Sequence, residues 1–136
     1  MGTGGEDFAN AVISNDGVSG TGTILMVFRG EYDLVSKEDL REDFASLAAA
    51  PNVVLDFSGV TYIDSTVIEE LMRLRNVRAA AGLAPETLVL HNINLLRIFD
   101  VLDLSSVFRI VPALDDVIGR DGNHVVVKYA RTQGGS

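Results

Sequence analysis

Short apolar runs alternate with amphipathic stretches along most of the chain. Runs that are rich in aliphatic and β-branched residues and bounded by turn-forming residues predict strands. These runs are residues 10–14, 23–29, 53–57, 87–91 and 107–111. A further strand is predicted within residues 124–130, where the alternation of apolar and polar positions is poorer.

Stretches with apolar residues at helical spacing lie between these runs and predict helices. Three of them cover residues 36–50, 66–81 and roughly 95–102, and Pro112 favours the start of a fourth. Gly82 ends the second helix, because glycine tolerates the positive φ common at helix C-termini. The candidate N-terminal caps of the third helix are Asn92 and Asn94.

The order of these elements predicts the fold class. Helices that alternate with short apolar strands indicate an α/β domain with a small mixed β-sheet. Asp16-Gly17, within the turn-rich residues 15–22, favours a hairpin between the first two strands. A length of 136 residues fits a single domain with one core.

Two helix starts carry the pattern of a capping box, in which a Ser or Thr side chain and an acidic side chain three residues later satisfy backbone N–H groups. They are Ser36 with Asp39 and Thr66 with Glu69. With Thr66 as the cap, Ser65 is expected to stand just outside the helix with its hydroxyl unused.

Charge and composition exclude several classes of protein. The chain has 19 acidic and 11 basic residues, a net charge of −8, which argues against nucleic acid or anionic lipid as a direct partner. Arg73, Arg75 and Arg78 share one helix with Glu69 and Glu70 and so make no basic patch. Cysteine is absent, and no apolar run approaches the ~18 residues of a membrane span. The sequence predicts a soluble, cytoplasmic protein without disulfides.

Candidate chemistry is sparse. His91 and His124 are the two histidines, nothing in the sequence brings either beside Ser65, and the motifs of zinc proteases and α/β-hydrolases are absent. Asp33 and Asp64 stand out because each follows a predicted strand and precedes a helix. In a parallel α/β layout such residues gather at the carboxyl edge of the sheet, where ligands commonly bind. Residue types alone leave open whether they are functional or only turn and cap residues.

Three segments together resemble the STAS domain, and more narrowly the anti-sigma factor antagonists of bacterial partner-switching systems. They are "FRGEYD" (28–33), "VVLDFSGVTYIDSTVIEEL" (53–71) and "NINLLRIFDVLDLSSVFRI" (92–110). The resemblance extends over residues 8–119, which leaves residues 1–7 as a flexible N-terminus and 120–136 as a C-terminal extension. It implies a small mixed sheet with helices packed mainly on one face.

The resemblance also implies a mechanism. Such a domain binds an anti-sigma factor that is also a Ser/Thr kinase, is released when the kinase phosphorylates it, and is reset by a protein phosphatase. Ser65 is the implied phosphate acceptor, and the implied partner-binding residues are Asp33, Asp64, Ser65, Thr66 and Val67. The domain itself is expected to catalyse no reaction and to need no cofactor or metal.

Val67 departs from the family pattern, which normally has glycine after Asp-Ser-Ser/Thr. A β-branched residue there narrows the backbone choices and adds bulk where a kinase approaches, so it predicts altered recognition. Replacing Val67 with glycine is expected to speed phosphorylation and to lower stability by about 0.5–1 kcal/mol. A second hypothesis is a STAS subunit of a transporter or signalling assembly that works without phosphorylation. A third, an enzyme with Ser65 as nucleophile, lacks a predicted base.

Overall fold

The computed structural model describes residues 22–116 and 125–130. Within them, five strands form one sheet in the order β4-β3-β2-β1-β5. The strands are β1 (Thr23–Tyr32), β2 (Asn52–Ile63), β3 (Thr87–Val89), β4 (Arg109–Val111) and β5 (Val125–Tyr129). All four neighbouring pairs are parallel. The predicted strand 10–14 and the hairpin at Asp16-Gly17, which made the expected sheet mixed, lie outside the described residues.

Three α-helices connect the first four strands. They are α1 (Lys37–Ala45), α2 (Ser65–Ala80) and α3 (Ile93–Val101). Short 3-10 turns cover Leu34–Ser36, Leu104–Ser106 and Leu114–Asp116. The predicted α/β fold is confirmed. The helix predicted to start at Pro112 forms only the last of these turns within the described residues, and none of the described helices is both long and apolar enough to span a membrane.

The main core lies between the sheet and the three helices, because alternate side chains of β1 and β2 point to that face. Phe28 is its centre, with its ring 4.8 Å from that of Phe57 and 5.7 Å from that of Phe44 on α1. The helices contribute apolar pairs at helical spacing, such as Leu71 with Leu74 and Leu95 with Phe99. The opposite face carries a smaller buried group: Leu25, Val54, Val89 and Val111.

Strand β1 is longer than predicted because it contains two register irregularities, between Val27 and Arg29 and between Gly30 and Glu31. Gly30 adopts a φ of +84°, which a residue with a side chain rarely accepts. Beyond this irregular stretch, pairing with β2 resumes and continues to the end of both strands. Residues 30–32, which follow the predicted strand, therefore complete β1 and set the position of Asp33 directly after it.

A buried arginine links the segments at the amino-terminal edge of the sheet, the edge opposite to the one where Asp33 lies. Arg78, near the end of α2, is fully buried and forms an ion pair with the fully buried Glu86 at 2.7 Å between Nε and Oε2. Arg75 reaches the other Glu86 oxygen at 3.0 Å. Burial lowers the pKa of Arg78 from its ordinary value, and the Glu86 carboxylate opposes that effect.

The same guanidinium also donates to backbone carbonyls from two loops. Its acceptors are the carbonyl oxygens of Leu47 and Ala50, in the segment before β2, and of Ala84, in the segment before β3. The Leu47 carbonyl also accepts from the Ala50 backbone N–H at 3.1 Å, so Arg78 is a second donor to that oxygen. Arg78 therefore joins α2 to both segments that start the central strands.

Candidate functional site

The ends of β1 and β2 lie side by side at the carboxyl edge of the sheet. Tyr32 and Ile63 are register partners in this parallel pair, so Asp33 and Asp64 follow at adjacent strand ends. Neighbouring strands lie about 4.8 Å apart, which brings the two aspartates to one place on the surface. The sequence prediction that these two residues gather at the carboxyl edge is confirmed.

Asp64 is the N-cap of α2. Its backbone is extended, and its Oδ1 accepts a hydrogen bond from the Thr66 backbone N–H at 2.8 Å. The predicted capping box of Thr66 with Glu69 is therefore wrong. Aspartate caps at least as well as threonine, and a cap two residues earlier places the Thr66 side chain in the protein interior.

Asp33 plays the matching part at the end of β1. Its Oδ1 accepts from the Val35 backbone N–H at 3.0 Å, and its own N–H donates to Ser36 Oγ at 3.2 Å. This reciprocal pair is a capping box on the 3-10 turn Leu34–Ser36. The predicted box of Ser36 with Asp39 is therefore wrong, because the Ser36 side chain is buried and bonds backwards to Asp33.

Ser65 is the first residue of α2, directly after its cap. It is exposed, and within the described part of the chain its hydroxyl makes no hydrogen bond. The expectation of an unused hydroxyl holds, although Ser65 begins the helix instead of standing outside it. The backbone N–H groups of the first turn and the helix dipole make this a favourable place for a negative group.

Thr66 and Val67 do not share this exposure. Thr66 is buried and Val67 is 1% exposed, packed in the main core against residues such as Leu71. Of the five predicted partner-binding residues, the structure places Asp33, Asp64 and Ser65 on one surface and turns the side chains of Thr66 and Val67 inward. The bulk of Val67 is directed into the core and away from the outer face of the helix.

Exposed aliphatic side chains beside these residues were not predicted. Leu34 is 66% exposed and Val35 is 71% exposed, on the turn that Asp33 caps. Ile93, which follows the end of β3, is 67% exposed. The sequence does contain a signal for this exposure: Leu34 and Val35 follow the aspartate at the end of β1 and precede the apolar stripe of α1, which begins at Leu40. We call Asp33, Leu34, Val35, Asp64 and Ser65 the strand-end face.

The described residues offer no catalytic or metal constellation at this face. His91 is exposed at the end of β3, and no hydrogen bond joins it to Ser65 in the described chain; His124 lies outside it. In residues 22–116 and 125–130, no group of three His, Cys, Asp or Glu side chains is placed to hold a metal ion. The face consists of two strand ends, capped by Asp33 and Asp64, beside the exposed hydroxyl of Ser65.

The family model described as "Mlab, STAS domain" matches residues 20–112. The chain therefore belongs to the STAS domain family. Among solved structures it is similar to the one described as "Structure of the Anti-Sigma Factor Antagonist SpoIIAA in its Unphosphorylated Form". That match has a TM-score of 0.56 at 14% sequence identity and covers 69% of this chain and 83% of the other. The chain thus has an anti-sigma factor antagonist-like fold. No curated protein sequence matches it.

Proposed function

We propose that this protein is an anti-sigma factor antagonist of the bacterial cytoplasm, a binding module that catalyses no reaction. Its partner is an anti-sigma factor of the Ser/Thr kinase type, which it sequesters through the strand-end face, so that the sigma factor is freed. Phosphorylation of Ser65 by that kinase ends the interaction, and a protein phosphatase restores it.

One observation carries this proposal: an exposed serine with an unused hydroxyl starts α2 at the adjoining ends of two central strands. A serine needed for the fold would be buried or bonded, as Ser36 is. The STAS fold and the likeness to an anti-sigma factor antagonist support the choice of partner.

The electrostatics of the site explain how a phosphate can eject a partner without unfolding the domain. A phosphoserine adds about −1.5 to −2 charges, which the positive end of α2 stabilises. When a partner covers the face, the same group must lose its water next to the Asp64 carboxylate. Desolvating an ion costs several kcal/mol, enough to offset most of a micromolar binding free energy.

The direct test is phosphorylation by a purified kinase-type anti-sigma factor from the same genome with ATP, followed by phosphopeptide mapping. We expect one phosphate on Ser65 and none in Ser65→Ala. Thr66→Ala is the matched control, because it changes the neighbouring hydroxyl and should leave phosphorylation intact. Phosphate on Thr66, or no phosphate on a domain that binds the kinase, would refute the assignment.

Val67 favours a second candidate, a STAS subunit of a transporter or signalling assembly that binds without phosphorylation. A buried valine fixes the third residue of α2 in helical backbone, whereas glycine would leave it free to adapt to a kinase. A stable complex with such an assembly, unaffected by ATP and by Ser65→Ala, would establish this candidate in place of the first.

A further inference from the structure

The turn that follows β1 exposes two consecutive aliphatic side chains, Leu34 and Val35, by 66% and 71%. Single exposed aliphatic residues are common on protein surfaces. This pair differs because it lies at the strand end next to the one that carries Ser65, at the edge of a parallel sheet where ligands are usually bound.

The backbone of the turn that carries the pair is held by hydrogen bonds. Asp33 Oδ1 accepts from Val35 N–H, Asp33 N–H donates to Ser36 Oγ, and Ser36 N–H donates to the Asp33 carbonyl at 2.9 Å. The Ser36 side chain is buried, which ties the turn to the core. A turn whose backbone is already fixed loses little conformational freedom on binding, so the two side chains that it presents are suited to be an anchor.

The charges around the pair indicate the partner's chemistry. The strand ends and the residues that follow them carry five acidic residues and one basic residue, counted over residues 31–38 and 64–69. The acidic residues are Glu31, Asp33, Glu38, Asp64 and Glu69, and the basic one is Lys37. Complementarity therefore calls for a partner surface rich in lysine and arginine around an apolar centre.

We propose that Leu34 and Val35 are the affinity anchor of the strand-end face and insert into an apolar pocket, rimmed by basic side chains, on the anti-sigma factor. This inference rests on the proposed function and adds the chemistry of its partner. Asp33 is a positioning residue, which acts through the backbone of Val35 more than through its charge.

Charge has different effects on the association rate and on the dissociation rate of the complex. The basic rim attracts the acidic face over distance and sets the association rate. A phosphate on Ser65 affects the bound complex, because there the dianion must lose its water beside Leu34 and Val35. Phosphorylation should therefore raise the dissociation rate and leave the association rate equal or higher.

The test uses the purified kinase-type anti-sigma factor as the probe, with binding kinetics measured by surface plasmon resonance. Leu34→Ser and Val35→Ser should each weaken binding by roughly tenfold or more through the dissociation rate. Val101→Ser is the matched control, and it should bind as the wild type does. That side chain is 76% exposed and stands at the C-terminal end of α3, whereas the strand-end face lies at the carboxyl edge of the sheet, where α3 begins. Raising the salt concentration should slow association.

Two replacements of Asp33 separate positioning from charge. Asn keeps an oxygen that can accept from Val35 N–H, and Ala does not. We expect Asp33→Asn to bind within about threefold of the wild type and Asp33→Ala to lose roughly tenfold. Equal loss in both variants would overturn the positioning role.

Wild-type affinity in Leu34→Ser and Val35→Ser, with the wild type still bound and phosphorylated, would overturn the anchor and leave the proposed function standing. Failure of the wild type to bind would overturn both. A wild type that binds through this pair and is not phosphorylated would overturn the phosphorylation of Ser65 and leave the anchor standing. Circular dichroism establishes that each variant is folded, which these exposed positions should allow.

Discussion

Replacing Arg78 with methionine should destabilise the domain more than any surface change on the same helix. Methionine keeps much of the length and the helix propensity of arginine and removes its charge and donors. The change leaves the buried Glu86 carboxylate with Arg75 alone and removes the arginine donor to the carbonyls of Ala50 and Ala84. The Leu47 carbonyl keeps the Ala50 backbone N–H.

The expected loss of unfolding free energy in Arg78→Met follows from the burial of its ion pair. Breaking a buried ion pair by removing one partner costs about 3–5 kcal/mol, because the remaining charge stays buried. Arg75 still reaches Glu86, which places the expected loss of unfolding free energy toward about 3 kcal/mol. For a domain of this size, that corresponds to a melting temperature lower by roughly 10 °C.

Urea unfolding followed by circular dichroism measures the loss, and Arg73→Met is the matched control. Arg73 lies on α2, is 59% exposed and contacts Glu70 at 3.3 Å, so its removal should cost less than about 1 kcal/mol. In a double-mutant cycle, Arg78→Met with Glu86→Gln should cost less than the sum of the single changes. A loss in Arg78→Met no larger than that in Arg73→Met would refute the account of the buried arginine.

Three further predictions concern α2. Asp64→Ala should lower the free energy of unfolding by about 0.5–2 kcal/mol in urea titrations, and Asp64→Asn by much less, because Asn also caps helices; equal losses would contradict the cap. Val67→Gly should cost about 2–4 kcal/mol, more than the 0.5–1 expected from sequence, because a core side chain is lost as well as helix propensity. A loss below about 1 kcal/mol would show that Val67 is not packed as described. Burial alone would raise the pKa of Glu70, but Arg41 and Arg73 outweigh it and hold that pKa below its ordinary value. The resulting stabilisation is present above about pH 5 and is lost as the pH falls through the folded-state pKa, so the stability gap to Glu70→Gln should close in acid; a gap that persists in acid would contradict this.

The sequence was sufficient for the α/β order and for the positions of Asp33 and Asp64, because strand ends in a parallel sheet must share an edge. It also offered Asn92 and Asn94 as candidate caps of α3, and the structure selects Asn92, whose Oδ1 accepts from the Asn94 and Leu95 N–H groups.

The choice between caps could not be made from sequence. Asp64 and Thr66 both satisfy N-cap preferences, and the choice depends on whether the Thr66 side chain fits the core, which is a property of tertiary packing.

The burial of Arg78 was also beyond the sequence pattern. On a helix rich in Glu and Arg, an arginine is ordinarily solvent-exposed. Its burial depends on two loops, one before β2 and one before β3, that bring carbonyl oxygens to the same point in space. Those loops are distant in sequence, so local patterning carries no trace of the site.

A phosphate on Ser65 is expected to end partner binding and to leave the domain folded. The most direct measurement of this compares the Kd of the unphosphorylated protein and of the same protein phosphorylated on Ser65, by calorimetric titration with the purified kinase-type anti-sigma factor. We expect a Kd at least about 100-fold higher after phosphorylation, equivalent to about 2.8 kcal/mol, with a melting temperature changed by no more than about 2 °C. An equal Kd for the two forms, or weaker binding that comes with loss of folding, would contradict this expectation.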